Sequence, residues 1–258
     1  MSGIYKYNKP ISRFYDAVYD KILSKDGLIF YLNEINKTNG AILEIGAGTG
    51  RIFVPSLNSG ADIYGIEPSE NMLEILKGKI PESEFHRIFI QDVRELSLNK
   101  KFSLIYAPFR IFSHLLTVKD QLKALNNIYY HLEPGGRFIF DVFVPDLNRI
   151  TADTDNIPEF DGEYEPGKKL KRFASIKYNH IEQLMDLKFK FIFDEDGKEN
   201  TEECSFPFRY YFRYEIEHLI ERTELSLNKI FGSFSKEELT NESKDFIVVC
   251  SRPEINKI

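Results

Sequence analysis

Apolar residues recur at helical spacing over residues 11–36, with Phe14, Tyr15, Val18, Tyr19, Ile22 and Leu23 on one side, so this segment reads as an amphipathic helix. The short apolar run Ile42, Leu43 and Ile45 stops at Gly46, which is the signature of a buried strand. Similar runs follow at residues 62–66, 85–90, 102–106 and 137–144. Helical signals lie between them, at 52–57, at the helix start Pro68-Ser69-Glu70, and at 119–131 ahead of the turn Glu133-Pro134-Gly135-Gly136. Strands that alternate with helices predict an α/β layer with a parallel sheet.

From residue 146 the pattern changes. Residues 151–167 are acidic, with proline and glycine, and read as a mobile loop. Three strand-like runs come next, at 169–178, 182–193 and 201–211. Leu187, Phe189, Phe191 and Phe193 alternate with polar neighbours, as in a half-buried strand. Asp194-Glu195-Asp196-Gly197 is a hairpin turn. A helix at 214–223 and two last strands, at 226–234 and 245–251, complete the chain. The expected division is residues 1–145 with 209–258 as one domain, and 146–208 as an inserted antiparallel β meander that roofs a substrate pocket or builds a homodimer. Residues 1–37 form an N-terminal cover region.

The chain has 258 residues and a net charge of -6, long enough for one large domain with an insertion and too acidic for a broad phosphate-binding surface. DNA is therefore not an expected partner. The basic cluster Lys168-Lys169-Leu170-Lys171-Arg172 reads as a solvated strand edge. No run is long and apolar enough to span a membrane, and the start, Met1 to Asn8, lacks the apolar core of a signal peptide. Cys204 and Cys250 form no disulfide framework and have no metal-ligand spacing, so no metal is expected and the cytoplasm is the expected location.

Candidate chemistry centres on residues 41–51, Ala-Ile-Leu-Glu-Ile-Gly-Ala-Gly-Thr-Gly-Arg. Gly46, Gly48 and Gly50 admit backbone angles closed to other residues and leave room for a ligand. The spacing is G-x-G-x-G rather than the G-x-G-x-x-G of a dinucleotide site. Glu67 ends the second strand about 20 residues on, where an acidic side chain meets ribose hydroxyls in related sheets. Its other reading is a cap for the helix that follows.

With Glu44 just ahead of it, Glu-Ile-Gly-Ala-Gly-Thr-Gly resembles the first motif of class I S-adenosylmethionine-dependent methyltransferases. The helix, Pro-Gly-Gly turn and strand at 119–144 also resemble that family, and the likeness covers about residues 38–145 plus the closing strands. It implies a Rossmann-like, doubly wound, mostly parallel seven-stranded sheet with an antiparallel closing hairpin. It also implies S-adenosylmethionine as cofactor, S-adenosylhomocysteine as product, and methyl transfer to a small-molecule acceptor by in-line displacement. Nitrogen is favoured over oxygen, and small-molecule N-methyltransferases, including those acting on amino sugars, look nearest. Carried over residue by residue, the cofactor set is Glu44, Gly46, Ala47, Gly48, Gly50, Arg51, Glu67, Pro68, Met72, Asp92, Val93 and Ala107. Asp92 would meet the adenine amino group, and Tyr15 and Tyr19 would cover the cofactor from the N-terminal helix. An ordinary turn acid is the alternative for Asp92, and a plain amphipathic helix for the tyrosines.

The resemblance implies that the loop after the fourth strand faces the methyl group. His114 there is a candidate base or positioning group, with a structural histidine as the alternative. Phe109, Arg110, Phe112, Arg209 and Tyr211 are candidate substrate contacts. Tyr106-Ala107-Pro108-Phe109 stands where methyltransferases of nucleobase or glutamine amides carry Asn-Pro-Pro-aromatic. Two other classes are a nicotinamide oxidoreductase, opposed by the glycine spacing, and a non-catalytic S-adenosylmethionine-binding protein.

Overall fold

The computed structural model describes residues 9–254, so the start of the chain, Met1 to Asn8, lies outside the described residues. The elements run α1 (Lys9–Ile22), α2 (Asp26–Asn36), β1 (Ile42–Ile45), α3 (Phe53–Asn58), β2 (Ile63–Ile66), α4 (Glu70–Lys77), β3 (Ile88–Phe89), β4 (Phe102–Ala107), α5 (Val118–His131), β5 (Leu132–Phe143), β6 (Thr154–Glu165), β7 (Lys168–Asn179), β8 (Leu184–Glu195), β9 (Lys198–Arg209), α6 (Arg213–Glu221), β10 (Ser226–Phe231) and β11 (Asp245–Ser251). A seven-stranded sheet is ordered β10-β11-β5-β4-β1-β2-β3. Its neighbours are parallel except for β11, which pairs antiparallel with both β10 and β5. This is the expected doubly wound sheet with its closing hairpin. The order reverses between β1 and β4, where the carboxyl ends of the strands open a crevice.

β1 is buried at every position, as are the last four residues of β4, which explains why both read as continuous apolar runs. The turn Glu133-Pro134-Gly135-Gly136 loops out inside β5, between the pairs Phe102–Leu132 and Leu104–Arg137. The single N-terminal helix expected over 11–36 is two helices, broken between Ile22 and Asp26. The third strand is shorter than expected, because residues Glu82–Arg87 coil into a 3-10 helix.

β6, β7, β8 and β9 form a separate antiparallel sheet in that order. Residues 154–165 are therefore not a loop. They are an edge strand with three register irregularities against β7 and one buried side chain, Phe160. An edge strand with so little burial carries no alternation for the sequence to reveal, and it tolerates Pro158. β7 in turn is an interior strand, so the basic cluster is not an edge: Leu170 and Arg172 are buried. Asp196 and Gly197, both at positive φ, make the two-residue β8–β9 turn. Helix α1 packs on this sheet, with Phe14 against Tyr164, Phe191 and Phe193. Cys204 and Cys250 are buried and not disulfide-bonded. Among the described residues, no helix is long and apolar enough to cross a membrane.

Candidate active site

The carboxyl ends of β1 to β4 enclose a cleft holding about 480 Å³ of empty space, lined by Gly46, Glu67, Pro68, Gln91, Val93 and His114 together with Ile45, Ile66, Ile111 and Leu115. The glycine turn meets the cleft at Gly46, and Gly46, Gly48 and Gly50 have φ of 75°, 54° and 92°. A Cβ on Gly46 would come within 2.5 Å of Ile111 Cδ1, whereas one on Gly48 would meet nothing closer than 3.8 Å. Other residues are thus disfavoured at Gly46 by its φ as well as by the crowding of Ile111, and at Gly48 by backbone geometry alone.

Glu67 lines the cleft and bonds the backbone on both sides of it. Its Oε2 accepts the Gly48 N–H at 3.2 Å and its Oε1 the Ser69 N–H at 2.9 Å. It therefore ties the glycine turn to the start of α4 while lining the cleft. Burial pushes its carboxyl up to about 7, with the two backbone N–H groups opposing that shift. A carboxylate retains acceptor sites beyond these two bonds, so Glu67 suits a cis-diol.

Glu44 lies behind the turn, beside Tyr106, its register partner on β4. Burial holds the Glu44 carboxyl well above the usual range, and the Tyr106 hydroxyl opposes that shift. Ala47 and Ala107 are buried in the core rather than lining the cleft. Met72 does not line it either: its side chain packs with Ile11, Phe14 and Val18 beneath α1.

Asp92 behaves as the turn acid. It accepts the Arg94 N–H at 2.8 Å, and its Oδ2 meets the Arg94 guanidinium at 2.8 Å. Its neighbours Gln91 and Val93 reach the cleft instead. Gln91 escaped the sequence reading because a polar residue after a two-residue strand carries no periodic signal.

Helix α1 closes the glycine turn from outside. Asp16 accepts from Thr49 Oγ1 and from Lys79 Nζ, both at 2.6 Å, and Arg51 Nη1 reaches the Tyr19 carbonyl at 3.4 Å. The Tyr15 and Tyr19 rings lie 4.5 Å apart. Burial raises the Tyr15 hydroxyl above its ordinary range, and Arg51 and Glu67 are close enough to act on it. The Arg51 guanidinium lies 5.0 Å from the Phe109 ring centroid.

Opposite the turn, His114 reaches from the cleft to the inserted sheet. Its ring lies 5.7 Å from Phe206 and 4.9 Å from Phe208, both on β9. Burial lowers its pKa to about 4, so the imidazole is neutral near pH 7 and too weakly basic to hold a proton there.

Three candidate substrate contacts have other work. Phe112 is a core side chain, packed 4.6 Å from Phe140. The buried Tyr211 hydroxyl donates toward the Phe112 and Leu115 carbonyls and accepts from Gln121. Arg209 bonds the Leu116 and Glu182 carbonyls and pairs with Glu215 at 2.7 Å, which staples β9 to α6. Aromatic and basic residue types near a binding loop do not distinguish a pocket wall from such a staple. Arg110 is partly exposed and pairs with Asp245 at 3.4 Å.

The comparisons with known proteins agree with this geometry. The methyltransferase domain family matches residues 42–136, the segment that builds the cleft from β1 through α5. An uncharacterized methyltransferase of Oceanobacillus iheyensis is 30% identical over 178 residues, which are 64% of this chain and 79% of that protein. The chain belongs to the class I S-adenosylmethionine-dependent methyltransferases. A dTDP-3-amino-3,4,6-trideoxy-alpha-D-glucopyranose N,N-dimethyltransferase of Streptomyces venezuelae is 30% identical over 96 residues, 37% of this chain and 39% of that one. The crystal structure of an S-adenosylmethionine-dependent methyltransferase from Clostridium acetobutylicum superposes with a TM-score of 0.76 at 18% identity, covering 96% of this chain and 99% of that one. This methyltransferase spans about half the length or less of the first curated relatives it matches (53%, 48% and 39%). Its fold is shared along nearly the whole chain with the solved structure, inserted sheet included.

Proposed function

We propose that this methyltransferase transfers a methyl group from S-adenosylmethionine to the nitrogen of a small amine, and that the amine is an amino sugar. The observation that carries this reading is the place of His114. One side of its ring lines the cofactor cleft, and the other meets Phe206 and Phe208 of the inserted sheet. A reacting atom held between cofactor and roof must pass this side chain. The amino-sugar class is supported by the Streptomyces relative, whose name specifies N,N-dimethylation of such a sugar.

In this reading Glu67 holds the ribose diol, and the turn Gly46–Gly50 gives backbone access to the rest of the cofactor. Val93 and Gln91 border the adenine, with Asp92 setting their turn. Tyr15, Tyr19 and Arg51 close the site from the α1 side. Residues 146–208 are the roof of the acceptor pocket. Bound S-adenosylmethionine supplies the methyl on a sulfonium, so the chain need not make an electrophile of its own. What the chain supplies is placement, worth roughly 7–11 kcal/mol in favourable cases, and a dry aromatic wall in which positive charge is accommodated.

The amine attacks as the free base. His114, at about 4, does not deprotonate an ammonium; it serves as a neutral hydrogen-bonding and packing surface that orients the nitrogen, while solvent takes the proton. Of the two roles expected for His114, base or positioning group, this reading takes the second.

The test is calorimetry with S-adenosylhomocysteine, then a radiomethyl transfer assay over nucleotide-linked amino sugars and their hydroxyl analogues. Label on the amine but not on the hydroxyl analogue supports the proposal. Labelling of the hydroxyl analogue alone would overturn the choice of nitrogen.

A further inference from the structure

Asp141 sits on β5, buried and polar, and the sequence offers no hint of its role because it interrupts an otherwise apolar strand. Its carboxylate accepts three hydrogen bonds. Oδ1 takes the Tyr31 hydroxyl at 2.6 Å and the Phe109 N–H at 2.9 Å, and Oδ2 takes the Arg110 N–H at 3.1 Å. Burial pushes its carboxyl up to about 6, against the Tyr31 hydroxyl, Arg110 and the Phe109 N–H, so above that pH it is the ionised form, which only accepts.

The two backbone groups it holds belong to residues in an unusual conformation. Phe109 and Arg110 are consecutive, neither is glycine, and both lie in the left-handed region, with φ of 54° and 65°. Side chains disfavour that region, and it persists only where surrounding contacts enforce it. The loop so bent then does three things at the cleft. Phe109 lies against the Arg51 guanidinium at 5.0 Å. Ile111 packs against Gly46, where a Cβ would come within 2.5 Å of it. His114 is turned between the cleft and the roof.

We propose that Asp141 is a positioning residue for methyl transfer: by holding Phe109 and Arg110 in the left-handed conformation, it sets the loop that carries Ile111 and His114 against the cofactor cleft. Tyr31 anchors the carboxylate from α2, and its ring packs 5.3 Å from Tyr106, so α2 and β4 brace the same point. The proposal rests on the assignment of this cleft to the cofactor and not on the identity of the acceptor.

The test uses Asp141→Asn in the full chain, read by S-adenosylhomocysteine calorimetry and by NMR titration of His114. The asparagine has the same shape but turns an N–H donor toward one of the two backbone N–H groups. The expected result is affinity about tenfold weaker than wild type and a His114 titration that moves up from about 4 toward the ordinary histidine value as the ring leaves its site. A residue that only supports stability would lower the melting temperature and leave both readouts unchanged, which would overturn the proposal. Adding Arg110→Gly supplies a residue that adopts positive φ freely, and the double variant recovers affinity. Weakened affinity that glycine does not recover also overturns it. Should the variant fail to fold, amide exchange on the wild type decides: the Phe109 and Arg110 amides are protected like those of β4, whereas exchange at open-loop rates overturns the proposal. Failure of wild type to bind S-adenosylhomocysteine at all would instead fault the cofactor assignment.

Discussion

Glu67 Oε2 accepts the backbone N–H of Gly48 at 3.2 Å, which joins the tip of the second strand to the glycine turn of the first. The same carboxylate lines the cleft proposed for the cofactor, so its removal should be felt in binding before it is felt elsewhere. Glu67→Gln is expected to weaken S-adenosylhomocysteine about 10-fold, or roughly 1.4 kcal/mol. Calorimetry checks this, and unchanged affinity would remove Glu67 from the ribose site.

The raised Glu67 pKa predicts a pH dependence with a definite sign. Burial lifts this carboxyl to about 7, above the unfolded value of about 4.3. A raised folded pKa means that its contribution to stability is fully present below the unfolded value and is lost as pH rises through about 7. In the proposed ribose role cofactor binding runs the other way, because the ionised carboxylate is the better acceptor for the diol. Affinity should therefore increase from pH 6 to pH 8 in wild type and stay flat in Glu67→Gln.

His114→Ala should reduce turnover and leave S-adenosylhomocysteine affinity within about twofold. With the imidazole titrating at about 4, the rate between pH 6 and 8 should show no inflection belonging to this residue. An inflection near pH 6.5 that vanishes in the variant would restore the base.

Arg209→Ala tests a staple against a substrate contact. The guanidinium bonds the Leu116 and Glu182 carbonyls as well as Glu215. Its loss leaves partly buried acceptors and a carboxylate without their partner, at a cost of about 2–4 kcal/mol. Thermal unfolding should show that loss while cofactor affinity is retained by the folded fraction.

Gly50→Ala addresses the glycine turn itself. Gly50 has φ of 92°, and an added Cβ would run into the Leu76 and Val54 side chains. Strain and overpacking together should cost about 2–4 kcal/mol, seen as a lower denaturation midpoint. Gly60→Ala, at a φ of 86° with open space around it, carries the backbone penalty alone and should cost about half as much.

Local sequence was enough for the parallel sheet, because β1 and β4 are apolar enough to be buried wherever they lie. It was enough for the glycine turn beside the cleft too, because Gly46, Gly48 and Gly50 announce their backbone angles in their identity. Glu67 was legible for the same local reason, being an acid at a strand tip. The remainder depends on partners distant in the chain, which folding alone supplies. The edge strand β6 buries one side chain and is held by backbone pairing with β7, which no periodicity records. Phe112, Arg209 and Tyr211 are core and staple because their partners lie on other elements. Asp141 is the plainest case. A lone aspartate in an apolar strand gains its meaning from a tyrosine 110 residues earlier and from two backbone N–H groups about 30 residues earlier, and only the tertiary fold brings those donors to one carboxylate.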